Sequence, residues 1–225
     1  MPLFLASKLI RFYETLEPPS RLPKGVEILF PQQNREVKKV VKVFFHKYYN
    51  DNRPRWLLFG INPGRFGAGI TGINFTAPRQ LKNNCQVDHP FGDSSELSAE
   101  FIYEVIEAYG GPGKFYRDYF ISAVSPLGFI KEGINLNYYD DKKLQKAITP
   151  FIVENIKKHL SFCFKRERCV CVGGDKNFKF FDKVNKDYHF FKEIIPLPHP
   201  RFILQYRRKQ KNAYILQYLS ALRGV

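Results

Sequence analysis

Apolar residues along this chain follow two periods. Short apolar-rich runs at residues 56–59, 119–124, 169–172 and 191–197 stop at Gly, Pro or Ser-Pro. Runs of this kind read as strands covered on both faces, as in a parallel sheet. The stretches around them carry apolar positions at helical spacing. Leu5, Leu9, Phe12 and Leu16 mark a helix in residues 2–16, ended by Pro18 and Pro19. Val37, Val40, Val41 and Phe44 mark another, capped by Asn34 and running to about His46. Ser94 or Ser95 opens a helix over Phe101, Ile102, Val105 and Ile106, and Leu144, Ile148, Ile152 and Ile156 line one over about 140–160. Gly173-Gly174-Asp175 starts a further helix whose amino end has donors for a phosphate. The last helix spans about 206–222. Alternating strands and helices predict an α/β fold, a three-layer α/β/α arrangement with a central, mainly parallel four-stranded sheet. The expected unit is one domain over 1–225, with a helical N-terminal part in 1–50 and a core in 51–225.

Residues 56–76 concentrate the candidate chemistry. The strand ends in Gly60-Ile61-Asn62-Pro63-Gly64, and Gly67, Gly69 and Gly72 follow. Glycines let a backbone turn sharply and let another molecule approach it. Ligands in open α/β sheets sit at the carboxyl ends of strands, where Asn62 supplies an amide and His199, after the fourth strand, supplies an imidazole. The plainer alternative is a loop that only turns a corner. A dinucleotide fingerprint is excluded because no G-x-G-x-x-G opens a helix here. A P-loop is excluded because no Gly-Lys-Ser/Thr follows, and Gly110–Lys114 reads as a turn because Phe115 stands where Ser/Thr belongs.

Charge narrows the partner. The chain has 36 Lys+Arg against 21 Asp+Glu, a formal net charge of +15, which favours a polyanion, nucleic acid first. The Lys-rich face at Lys38, Lys39, Lys42 and Lys47 reads most simply as solvated. Cys85, Cys163, Cys169 and Cys171 match no zinc spacing and read as buried free thiols, which suits a reducing cytoplasm. Lys8 and Arg11 interrupt the first apolar run, so no signal peptide and no membrane span are expected.

The segment GINPGRFGAGITGINF, residues 60–75, resembles motif 1 of the single-strand-selective monofunctional uracil-DNA glycosylases, a branch of the uracil-DNA glycosylase superfamily. That motif has the form G-x-N-P-G-x-F-G, then T-G-x-x-F, and Gly60, Asn62, Pro63, Gly64, Phe66, Gly67, Thr71, Gly72 and Phe75 fill it without a gap. Ser125-Pro126-Leu127, Gly133-Ile134-Asn135-Leu136 and Leu197-Pro198-His199-Pro200 are similar to further family segments, so the resemblance spans about 56–220. It implies base excision from DNA by hydrolysis of the N-glycosidic bond, without strand cleavage, cofactor or metal. The four-cysteine iron–sulfur cluster of some superfamily branches is not expected, because the cysteine spacing differs.

The resemblance also assigns roles. Asn62 orients a water, and His199 donates a hydrogen bond to the charge developing on the uracil carbonyl. Gly60, Ile61, Pro63, Gly64, Ala68, Phe75, Ala123 and Ser125 form the base pocket, and Phe75 stacks on the base unless it is simply a core residue. Arg201, Phe202 and Ile203 correspond to a duplex wedge, in a segment shorter than the family's, and Arg207 and Arg208 approach phosphates or are exposed charge. Ala123 stands where the family has the Asn that reads the uracil edge, and Ser122, Ser125 or backbone groups are the candidate substitutes. Relaxed base choice, reaching other deaminated bases, is therefore expected, and Ala68 leaves room at the pyrimidine 5-position. The expected enzyme is a cytoplasmic monomer acting on DNA. The competing reading is a non-catalytic DNA-binding relative, which would have no reason to keep both Asn62 and His199; a nucleotide-binding enzyme of another class lacks a metal or ribose motif.

Overall fold

The computed structural model describes residues 3–224; Pro2, at the head of the first helical stretch, lies outside them. The chain runs through α1 (Leu5–Glu14), β1 (Val26–Leu29), α2 (Arg35–Tyr49), β2 (Arg55–Gly60), α3 (Ala68–Thr71), α4 (Pro78–Asn83), α5 (Leu97–Tyr109) and α6 (Gly111–Asp118). It continues through β3 (Tyr119–Ala123), β4 (Gly128–Lys131), β5 (Ile134–Leu136), α7 (Lys142–Leu160), β6 (Phe164–Val172), α8 (Gly174–Tyr188), β7 (Glu193–Leu197), α9 (Pro200–Tyr206) and α10 (Lys211–Arg223).

The expected central sheet is present. Its four strands lie in the order β3-β2-β6-β7, and every neighbouring pair is parallel. The carboxyl ends of β2, β3 and β7 therefore meet along one edge, with Gly60 in register with Ala123. The apolar runs are covered by helices: Phe59 of β2 meets Phe181 of α8 at 4.9 Å between ring centroids, and Phe120 of β3 meets Tyr49 of α2 at 5.4 Å. Burying each such aromatic contributes on the order of 2–3 kcal/mol. One apolar cluster takes in side chains of α1, α2 and the sheet alike. Asn34 caps α2 as its sequence position predicts, its Oδ1 accepting from the N–H groups of Glu36 and Val37 at 2.8 and 3.3 Å.

The hinge of the N-terminal part is Arg55, a wholly buried cation at the start of β2. It is bidentate on Asp51 at 2.7 and 3.0 Å, and donates to the carbonyls of Tyr116, Tyr48 and Arg53 at 2.8, 3.1 and 3.1 Å. The Asp51 carboxyl is held below its ordinary pKa, chiefly by the hydrogen bonds from Arg55.

Several elements differ from expectation. The N-terminal part is not only helical: β1 joins a three-stranded sheet in the order β1-β4-β5, antiparallel throughout. The segment from Gly133 to Leu136 carries β5, and Glu132 and Gly133, at φ of 52° and 73°, close a tight hairpin between β4 and β5. Gly111–Lys114 is not a turn but the first stretch of α6, with Pro112 in the opening positions where its missing N–H costs nothing. The last helix starts later than about 206, at Lys211, and a separate helix, α9, ends at Tyr206 before it.

Candidate active site

A cavity of about 250 Å³ opens where β2, β3 and β7 end. Its floor is set by Gly60. A side chain at Gly60 would meet the Phe75 ring, whose Cε2 lies 2.8 Å from the Cβ position. Phe75 takes a positive φ of 52°, a conformation that a bulky residue adopts only when its surroundings fix it. The surroundings do so: Thr71 Oγ1 donates to the Thr76 carbonyl at 2.6 Å, bridging the turn that carries Phe75. Gln32 Nε2 donates to the Gly72 carbonyl at 2.7 Å. Gly72 itself, at φ 74°, packs against Val37 and Val41 of α2.

Asn62 stands just past β2 with both amide atoms engaged. Its Oδ1 accepts the Tyr138 N–H at 3.1 Å, and its Nδ2 lies 3.4 Å from the Leu136 carbonyl and 3.3 Å from that of Pro63. These contacts orient the amide and leave Oδ1 a second lone pair. One residue before Leu136, Asn135 Oδ1 accepts the Arg65 N–H at 3.0 Å. The small antiparallel sheet thus holds the loop after β2 at two points. It is packed closely enough that Leu29 of β1 lies 2.9 Å from the Cβ position of Gly69, and Gly128 of β4 lies against the Pro63 carbonyl.

His199 faces this loop from the end of β7. Its Nδ1 accepts the Arg201 N–H at 3.2 Å, so a neutral ring carries its proton on Nε2. Burial, helped by the nearby Arg201 charge, pushes its pKa down to about 4. The ring is therefore neutral at physiological pH and is a hydrogen-bond donor without being a charge. Its position is secured from behind, where Tyr218 of α10 donates to the Pro198 carbonyl. The His199 and Phe75 ring centroids are 6.3 Å apart, with the planes tilted by 48°.

Of the residues expected around a base, Gly60, Ile61, Gly64, Ala68, Phe75 and Ala123 line this cavity with Asn62 and His199. Pro63 and Ser125 do not. Ser125 is wholly buried and its hydroxyl donates to the Leu127 carbonyl at 2.8 Å, so it is no substitute for the absent amide. Ser122 is buried with its hydroxyl unpartnered, outside the lining. Arg201 reaches the rim, whereas Ile203 is 0% exposed and belongs to the core, which removes it as a wedge. Phe202 is 41% exposed, with the Arg207 guanidinium 5.5 Å from its ring centroid and the Tyr206 ring 5.8 Å away. Arg208 is exposed beyond it.

The sequence reading passed over Asn74, Glu96, Ser98, Asn135 and Asn137, which also line the cavity. Burial raises the Glu96 pKa, and Arg201 opposes that shift. Its carboxylate lies against Gly67, where a Cβ would collide with it. Glu96 and Ser98 come from the start of α5, far from the motif in sequence, and no local pattern marks them. Asn74 sits inside the motif itself, next to Phe75. Among the described residues no cluster of three or more His, Cys, Asp or Glu is placed to hold a metal, and no helix is long and apolar enough to cross a membrane.

Taken together, the cavity offers an oriented amide, a neutral imidazole donor, an aromatic platform and a basic rim. A planar, uncharged ring that becomes anionic during reaction fits these groups. The family model of the uracil DNA glycosylase superfamily matches residues 46–223. Comparison with curated proteins gives no match. Among solved structures, the crystal structure of wild-type Pedobacter heparinus SMUG2 is 45% identical in sequence and superposes with a TM-score of 0.95, covering 99% of this chain and 98% of that chain.

Proposed function

This chain belongs to the uracil DNA glycosylase superfamily and is a hydrolytic uracil-DNA glycosylase of base-excision repair, and from that premise we propose that Asn62 and His199 carry the reaction. The observation that supports this most is the pairing of an amide held by Tyr138 with a neutral imidazole at the mouth of one cavity. The target nucleotide leaves the stack and its base enters the cavity against Phe75. The bond between the sugar C1′ and uracil N1 breaks, and its electron pair goes to the base, spreading onto the carbonyl oxygens. His199 Nε2–H hydrogen-bonds the oxygen that gains charge; being neutral, it stabilises the anion without having to protonate it. A donor of this kind contributes about 3–4 kcal/mol to lowering the barrier. A water that donates to the free lone pair of Asn62 Oδ1 adds to C1′ and loses a proton to solvent, and the departed uracil anion takes up a proton in turn, leaving an abasic site and free uracil.

No lysine lines the cavity among the described residues, which supports hydrolysis by water over a Schiff base and hence a monofunctional enzyme. DNA contact falls to Arg201 at the rim, to Phe202 as the wedge, and to Arg207 and Arg208 as phosphate partners; the net charge of +15 supports this. One chain holds every group the reading needs, which supports a monomer, and free thiols, buried at Cys85, Cys169 and Cys171 and half-buried at Cys163, suit a cytoplasmic setting. With Ala123 small and apolar on the floor, other deaminated bases enter as substrates beside uracil.

The test is single-turnover excision from a labelled uracil oligonucleotide with wild type, Asn62→Ala and His199→Ala. Abasic sites from the wild type, with most of the rate lost in both variants, are expected. Binding of DNA by the wild type with uracil left intact would favour a non-catalytic relative instead. A base panel cut only at uracil would overturn the wider substrate range.

A further inference from the structure

We propose that Asn74 reads the polar edge of the flipped base, filling the role that Ala123 cannot. The proposal rests on the glycosylase reading above. Uracil presents N3–H beside O4, a donor next to an acceptor, and only a group offering an acceptor next to a donor matches both. A carboxamide does this; a hydroxyl or a carboxylate does not.

The cavity lining supplies few such groups. Asn62 is committed to Tyr138 and Leu136. Asn135 accepts from the Arg65 N–H, and Asn137 Nδ2 donates to Asp140 at 2.8 Å. Glu96 can accept from N3–H but has no proton for O4 while ionised, and Ser98 brings one hydroxyl. Asn74 remains, and it stands at the right place. Its Nδ2 lies 3.5 Å from the carbonyl of Ile121, two positions before Ala123 on the same strand. It immediately precedes Phe75, the platform on which the base would lie, and both line the cavity. Asn74 thus shares one cavity with Phe75 and Ala123, tied to the strand that carries Ala123.

Asn74 is also oriented. The long contact to Ile121 uses one Nδ2 proton and orients the amide, which leaves the second proton and the Oδ1 lone pairs for a base. An amide held in this way discriminates because a base lacking its partners leaves it unpaired in a dry site.

The test uses one oligonucleotide carrying either uracil or 2-pyrimidinone, which lacks O4 and has an acceptor in place of N3–H. Single-turnover excision is measured with wild type and Asn74→Ala, and with Asn74→Ser where the alanine variant fails to fold. On uracil the substitution is expected to slow excision roughly ten- to a hundredfold. On 2-pyrimidinone the variant and wild type are expected to cut at nearly the same rate, since the edge that Asn74 reads is gone. An equal fall on both substrates makes Asn74 a structural support and overturns the proposal, as does an unchanged rate on uracil. Wild type that leaves uracil intact overturns the glycosylase reading itself, an outcome separate from either.

Discussion

The Phe75 ring occupies the space that a side chain on Gly60 would need: its Cε2 is 2.8 Å and its Cζ 3.0 Å from the Cβ position of Gly60. The glycine that ends β2 is therefore what permits the aromatic platform. Gly60→Ala should displace the ring while the strand, regular at this residue, keeps its pairing with Ala123. Excision is expected to fall roughly ten- to a hundredfold through misplacement of the base, with little change in the midpoint of thermal unfolding. A normal rate would mean that the ring has another resting place.

Phe75→Ala removes the platform outright. Stacking of a base on an aromatic is worth about 1–3 kcal/mol, so single-turnover excision should drop by one to two orders of magnitude. The ring is only half-buried, so its removal takes away little core packing. The variant is thus expected to lose activity without losing an equivalent amount of stability, and parallel urea titrations check this.

The pH dependence follows from His199. A pKa lowered from 6.5 to about 4 keeps the ring neutral in the folded enzyme down to mildly acidic pH. Excision should be level through pH 6.5 and bend downward only as pH nears 4. A bend near 6.5 that vanishes in His199→Gln would contradict the neutral-donor assignment. Stability has the same sign. His199 and the wholly buried His159, also pushed down to about 4 by burial, take up protons more readily when unfolded. Their contribution is fully present above pH 6.5 and is lost as pH falls toward 4.

Arg55→Met tests the junction between the N-terminal part and the sheet. The change leaves the Asp51 carboxylate and the carbonyls of Tyr116, Tyr48 and Arg53 without their donor. Breaking a buried pair from one side typically costs about 3–5 kcal/mol, to be read from urea unfolding. Arg55→Lys should recover little of this, because an ammonium cannot reproduce the planar fork.

Phe202 provides a test of the wedge. Phe202→Ala should slow excision from duplex DNA several-fold while single-stranded substrate, which needs no unstacking, is cut at close to the wild-type rate. An equal loss on both substrates would make Phe202 part of the pocket's support instead.

The central sheet was legible because its strands are short apolar runs, closed by Gly or Pro, between helices of clear period. Asn62, Phe75 and His199 were legible because motif and strand end coincide. The antiparallel sheet was not: β1 pairs with β4 across about a hundred residues of chain, as in the register Val26 to Lys131, and its strands are short and mixed in polarity. Ile203 was read as part of the wedge because Phe202 and Ile203 look alike in sequence. Only the helix that begins at Pro200, with His199 as its cap, turns one out and the other in. The Pro after a capping residue was the signal available. Glu96 and Ser98 carried no such signal, since a cavity wall is contributed by tertiary packing.

The superfamily match begins at residue 46, yet the grip on the reactive loop begins earlier. Leu29 presses on Gly69 and Gly128, Gln32 takes the Gly72 carbonyl, and Val37 and Val41 close over Gly72. The shared segment is consequently not a portable cassette. Grafted without the chain before it, it would carry the amide, the imidazole and the platform but not the clamp that sets their spacing, and the unit of inheritance for this activity is longer than the stretch that the superfamily model matches.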